Sequence, residues 1–224
     1  MVTVVTLDGP TSSGKGTISR MVAARLKWHL LDSGALYRLV ALSGQQLGLE
    51  PDDMSGHAAA ARNLDAAFGA VEDEERIWLS GREVTALVRT AEAGMGASRV
   101  AAWPAVREAL LERQRRFARE PGLIADGRDM GTVVFPDAPL KVFLTATPEE
   151  RALRRYKQLK DKGSGVSLAA LSREIAERDL KDSTRAVAPL RPAPDAHVID
   201  STQLRIADVV EQVLALGRSR SLWP

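Results

Sequence analysis

The chain has 224 residues, no cysteine, 45% hydrophobic residues, and 31 Lys and Arg against 29 Asp and Glu. That length suits one compact domain, or one domain with a small insert, and a chain of this size buries about 70% of its unfolded surface without covalent staples. The missing cysteines exclude a disulfide scaffold, a thiolate zinc site and a cysteine nucleophile. Acids and bases are interleaved, and the ten Phe, Trp and Tyr are dispersed, so neither a basic stripe nor an aromatic platform for nucleic acid is expected. The apolar run Val2–Leu7 follows no basic leader, and no stretch approaches the roughly 20 apolar residues that span a bilayer. The expectation is a soluble cytoplasmic protein that engages neither membrane nor nucleic acid. Arginine makes up 24 of the 31 basic residues, which favours bidentate phosphate recognition only where individual positions support it.

Val2–Leu7 reads as a buried strand. Three glycines and a proline punctuate Asp8–Gly16, and Thr17–Leu26 continues with helical periodicity. Trp28–Leu31 predicts a second strand and 35–47 a helix. Pro51–Phe68 predicts one long helix, started by the acids at 52 and 53. Ile77–Leu79 and Glu83–Thr85 flank Ser80-Gly81 and read as a hairpin. Helices follow at 90–100 and 105–120, the second opened by Pro104. Leu123–Ala125 and Lys141–Leu144 read as buried strands, and Pro148–Lys162 as a strongly basic helix. The linker Gly163-Ser164-Gly165 leads to a helix at 168–178. A last strand at 197–200 and a helix at 206–216 complete the pattern, with 218–224 expected to fray and Trp223 to serve at most as a weak anchor. Strands alternating with helices imply a doubly wound, mostly parallel α/β sheet.

The strongest chemical signal is Gly9-Pro10-Thr11-Ser12-Ser13-Gly14-Lys15-Gly16-Thr17. It fits G-x-x-x-x-G-K directly after a buried strand and at the start of a helix. Glycines let backbone N–H groups wrap a phosphate, the helix N-terminus favours negative charge, and Lys15 reaches the β- and γ-phosphates. The residue after Lys15 is Gly16, and the hydroxyl comes at Thr17. That ending resembles nucleoside monophosphate kinases more than GTPases or motor ATPases. A second segment, Asp32–Arg38, follows the second strand and is expected to face the same crevice. There Ser33 reads equally as a helix cap, and Arg38 equally as a solvated arginine or a phosphate contact. A third, Asp126-Gly127-Arg128-Asp129-Met130-Gly131, puts two acids and an arginine at a strand's end, where they need a ligand or a salt-bridge network. A fourth, Glu177–Arg185, carries arginines interspersed with acids beyond a glycine linker, which suits a lid over polyphosphate as well as a charged helix end. His29, His57 and His197 are scattered, so no metal site is expected.

Taken together these segments resemble the bacterial cytidylate kinases, over essentially the whole chain. The resemblance is carried by Asp8–Thr17, Trp28–Arg38, Ala97–Gln114, Pro121–Ala138 and Glu177–Pro189. The run Asp126–Pro136 and the Arg-Asp-x-x-Asp-x-x-Arg at 178–185 are its most specific parts. It implies a P-loop three-layer fold with a five-stranded parallel sheet, divided into a core (about 1–50, 95–150 and 190–224), a CMP-binding insert (about 51–94) and a short lid (about 151–189). It implies transfer of the γ-phosphoryl of ATP to CMP or dCMP by a monomer, with Mg²⁺ held mainly by phosphates and water. Lys15, Arg128, Arg178 and Arg185 are then the catalytic residues, and Gly9 to Thr17 the ATP loop. Arg38, Arg128 and Arg185 would clamp the CMP phosphate, Ser33, Arg107 and Asp129 would read cytosine, and Ser98, Arg178 and Asp182 would hold the ribose. The sequence departs from the family pattern in two places: Lys181 replaces a usual lid arginine, and Thr11-Ser12-Ser13 replaces the commoner Gly- and Ala-containing filler. Rival expectations are a P-loop kinase for UMP, AMP, dTMP or shikimate, and an ATP-dependent switch without transferase activity.

Overall fold

A computed structural model of the chain describes residues 2–71, 74–161 and 165–223. The chain divides into two compact units, Met1–Asp32 with Arg115–Pro224, and Ser33–Gln114.

The first unit is built on a parallel sheet. Its strands are β1 (Val4–Asp8), β2 (His29–Asp32), β6 (Leu123–Gly127), β7 (Leu140–Thr145) and β8 (His197–Asp200), in the order β2-β6-β1-β7-β8. Strand β1 therefore lies centrally, with Asp8 beside Gly127 on one side and Phe143 on the other. Every residue of β1 and β6 is buried, as expected of apolar runs in a parallel sheet. Helices α1 (Lys15–Leu26) and α9 (Ile206–Ser219) bury Ile18, Val22, Val209 and Val213 in one core with Val5, Leu7, Ile124 and Val142. Among the described residues of the tail, 218–223, there is no frayed end. Trp223 packs edge-on to Trp28, with ring centroids 5.3 Å apart, and occupies the space that a Cβ on Gly217 would need.

Helix α7 (Pro148–Lys160) starts as its sequence demands: the Thr147 hydroxyl accepts from the Glu150 N–H, Pro148 opens the first turn, and two glutamates lie at the positive end. Helix α8 runs over Leu168–Thr184, longer than the periodicity predicts, so Arg178 and Asp182 are helical residues. Of the expected 163–165 linker, residues 163 and 164 lie outside the described residues. A π-helical turn, Met130–Val134, follows β6 where the sequence signals no helix.

The second unit holds α2 (Ser33–Gln46), α3 (Met54–Arg62), α4 (Thr85–Val88), α5 (Ala91–Val100) and α6 (Pro104–Arg115, whose last residue belongs to the first unit). It also holds an antiparallel sheet, β3 (Ala66–Val71), β4 (Glu74–Leu79) and β5 (Arg82–Glu83). The hairpin is present, although Thr85 opens α4 instead of ending a strand. The long helix over 51–68 is a correction. Asp53 caps α3 by accepting from the Gly56 N–H, but the helix stops at Arg62, and 66–71 pairs with β4. Arg113 donates to the carbonyls of Leu64 and Ala66, which removes them from any helical ladder. Alanine-rich sequence is permissive, and the partner strand decides.

Candidate active site

The turn after β1 has the geometry that phosphate binding requires. Gly9 leaves no room for a side chain, since a Cβ there would lie 2.1 Å from the Leu144 carbonyl oxygen. Gly14, at φ 94°, flanks α1, and its carbonyl accepts from the Thr17 and Ile18 N–H groups. Ser12 adopts a left-handed backbone at φ 58°, which glycine tolerates best. The Ser13 side chain is fully buried and its hydroxyl has no hydrogen-bond partner.

Lys15 is buried, and its ammonium donates to the Pro10 carbonyl at 3.0 Å. Burial, and after it the Arg128 guanidinium, pull its pKa well below the usual lysine range, against the opposing pull of Asp126. Asp126, at the end of β6, lies over the turn: its carboxylate would sit 3.2 Å from a Cβ on Gly16. Burial pushes its pKa up, while Lys15 pulls it down. An ammonium held this way gains from a nearby polyphosphate.

The same unit brings most of the expected charged residues together. Arg128 donates from Nε to Asp182 at 3.0 Å, and the Arg185 guanidinium lies 4.0 Å from the Asp129 carboxylate. Arg178 adds positive potential at Lys15. Lys181 is solvent-exposed on α8. In the second unit Ser33 is buried as the first residue of α2 and donates to the Gln114 side-chain oxygen at 2.8 Å. Arg38 donates to the Val88 carbonyl at 2.7 Å. Arg107 is buried, stacks 5.6 Å over the Tyr37 ring and donates to the Ala101 carbonyl. Ser98 lies half-buried on α5.

Sequence reasoning missed the residues that hold these groups. Arg151 donates to the carbonyls of Ala146 and Thr11 and pairs with Asp179 at 2.6 Å, while Arg154 reaches the carbonyls of Ser13 and Ser201. Two arginines of the basic helix thus fix the P-loop backbone from behind, although their spacing on α7 resembles an ordinary solvated face. Asp8 and Gln114 were missed as well, because the contacts that matter are distant in sequence.

A central strand ending in this turn, a buried lysine opening the next helix, and arginines gathered beyond the strand ends define a P-loop kinase. The cytidylate kinase family model matches residues 5–219. The chain belongs to that family. It is 56% identical over 215 residues to a cytidylate kinase of Pseudomonas paraeruginosa, covering 95% of this chain and 94% of the relative. It is 53% identical over 223 residues to one of Stutzerimonas stutzeri, covering 99% and 97%. Among solved structures, an uncharacterized protein from Eubacterium ventriosum shares the fold at a TM-score of 0.50 and 9% identity, over 97% of this chain and 99% of that one.

Proposed function

We propose that the chain transfers the γ-phosphoryl group of ATP to CMP and dCMP, giving ADP and CDP or dCDP. The acceptor follows from membership of the cytidylate kinase family. The observation that carries the chemistry is the buried Lys15 within the field of Arg128 and Arg178, with Arg185 beside Asp129. An attacking CMP phosphate oxygen is already ionised near neutral pH, so no strong general base is needed. Catalysis rests on in-line positioning and on neutralising charge as the phosphoryl group moves. Lys15 and the backbone of 9–17 hold ATP, while Arg178 and Arg185 neutralise the transferring group and exclude water from it.

Arg38, Arg128 and Arg185 are assigned to the CMP phosphate, Ser98, Arg178 and Asp182 to the ribose, and Ser33, Arg107 and Asp129 to cytosine. Asp129 accepts from the exocyclic amine and repels the carbonyl oxygen that uracil offers in its place. Among the described residues no three His, Asp or Glu come together to hold a metal ion. The one carboxylate shown beside the turn, that of Asp126 next to Gly16, fits Mg²⁺ that arrives with ATP and keeps mainly phosphate and water ligands. When bound, Mg²⁺ neutralises charge on the β- and γ-phosphates. No helix among the described residues is long and apolar enough to cross a membrane; the protein is also proposed to be a cytoplasmic monomer.

A coupled ADP-release assay with ATP·Mg²⁺ tests the reading against CMP, dCMP, UMP, AMP, dTMP and shikimate in turn. Turnover with CMP and dCMP alone is expected. Turnover with another acceptor alone overturns the cytosine assignments, and slow ATP hydrolysis that no acceptor stimulates overturns the transferase.

A further inference from the structure

Asp8 ends β1 immediately before Gly9, yet its carboxylate does not serve the phosphate turn. Its Oδ1 accepts from the Met130 N–H and its Oδ2 from the Gly131 N–H, each at 2.8 Å, and the side chain is buried. Those two N–H groups open the π-helical turn 130–134, where helical backbone lacks internal acceptors. The ordinary solution is a cap from the residue just before the turn. That residue is Asp129, and its side chain makes no such bond. The capping carboxylate comes instead from a strand 122 residues away in sequence, which leaves the Asp129 carboxylate toward Arg185. The turn is also seated tightly: a Cβ on Gly131 would meet the Thr6 hydroxyl at 2.8 Å and the Lys141 side chain at 3.1 Å.

We propose that Asp8 is a positioning residue for base selection: by gripping the backbone of Met130 and Gly131, it fixes where the Asp129 carboxylate and the Arg128 guanidinium point. The inference rests on the reading of Asp129 as the group that tells cytosine from uracil. It separates Asp8 from its sequence neighbours, because a residue of the ATP loop would act on ATP.

The test is Asp8→Asn, which keeps the volume but turns an amide N–H₂ against one of the two backbone donors. Losing one buried bond of this kind is expected to raise KM for CMP about tenfold or more and to narrow the CMP/UMP ratio of kcat/KM by a similar factor. KM for ATP should stay within about twofold, because uniform damage to the fold would raise both. Asp129→Asn, measured alongside, should narrow the same ratio. If Asp129→Asn narrows the ratio and Asp8→Asn does not, or if KM for ATP rises as far as KM for CMP, the positioning role is refuted while the reading of Asp129 stands. An unchanged ratio in Asp129→Asn refutes the base-reading assignment and this inference with it. Should Asp8→Asn fail to fold, Asp8→Ser carries the same comparison. Amide exchange at Met130 and Gly131 in the unsubstituted protein adds a direct test, since rates typical of an exposed loop overturn the tether.

Discussion

Substitutions inside a phosphate-binding loop are ordinarily expected to weaken a protein, but two here are expected to strengthen it. Ser12 holds a left-handed backbone at φ 58°, which costs a non-glycine residue about 1–2 kcal/mol. Ser12→Gly removes that strain, and the extra freedom of glycine in the unfolded chain takes back about 0.5–1 kcal/mol. The net gain is about 0.5–1 kcal/mol. Ser13 is fully buried with its hydroxyl unpartnered, so Ser13→Ala removes a desolvated polar group that costs about 1–3 kcal/mol. For a chain of this size each kcal/mol raises Tm by about 2–4 °C. The double variant is therefore expected to melt at least about 3 °C higher, as read by calorimetry without nucleotide. The carbonyls that Arg151 and Arg154 engage belong to Thr11 and Ser13, and neither substitution removes them. Nucleotide affinity should accordingly change little. A lower Tm for either single variant refutes the reasoning, because it would mean that the serine side chains stabilise the loop they occupy.

Other outcomes follow from the same geometry. Lys15→Ala should lower kcat in the ADP-release assay by several orders of magnitude, and near-normal kcat would remove Lys15 from the mechanism. Burial pushes the Asp8 pKa from 3.8 to about 7 even though two backbone donors favour its charge. The native state then holds this proton across a range where the unfolded chain releases it, so stability falls as pH rises from about 4 to about 7. Asp126, also raised by burial, acts in the same direction. The urea midpoint of the nucleotide-free protein should be higher at pH 5 than at pH 7, and a flat or rising profile would contradict this. Trp223→Ala should cost about 3 kcal/mol by removing the edge-on partner of Trp28, measurable by urea denaturation. A cost below about 0.5 kcal/mol would return the tail to a frayed end.

The legible parts of this protein were those whose physics is local. Gly9, Gly14 and Lys15 stand at a spacing that only a phosphate-binding turn explains, and the strand before and helix after them could be read from side-chain pattern alone. The same holds for β6, β7 and α7, where apolar runs and a Thr-Pro-Glu-Glu start are self-sufficient signals. Reading failed where a distant partner decides. Alanines at 58–61 and 66–67 fit either state, and the strand paired with 74–79 made the choice. Trp223 became ordered because Trp28 and a bare Gly217 receive it, neither of them near it in any periodic pattern. In the candidate site the charged residues at 126–129 and 178–185 were visible as motifs. Their supports were not, since Asp8 and Arg151 reveal their purpose only once strand order brings 130–131 and the loop carbonyls beside them.

The strand order also governs how the chain must be born. Of the five strands of the parallel sheet, β1 leaves the ribosome before the others, every residue of it destined for burial, and β2 soon after. Yet neither hydrogen-bonds to the other in the finished sheet, because β6 lies between them. At synthesis rates of about 5–20 residues per second, the earliest strands wait several seconds for their first partner. The continuous segment 33–114 emerges complete during that interval. Assembly of the sheet is consequently a late event dominated by long-range closure, a class of topology that folds slowly. The glycine-rich turn that defines the nucleotide site is made well before β6 and β7, and it acquires its walls only when they arrive.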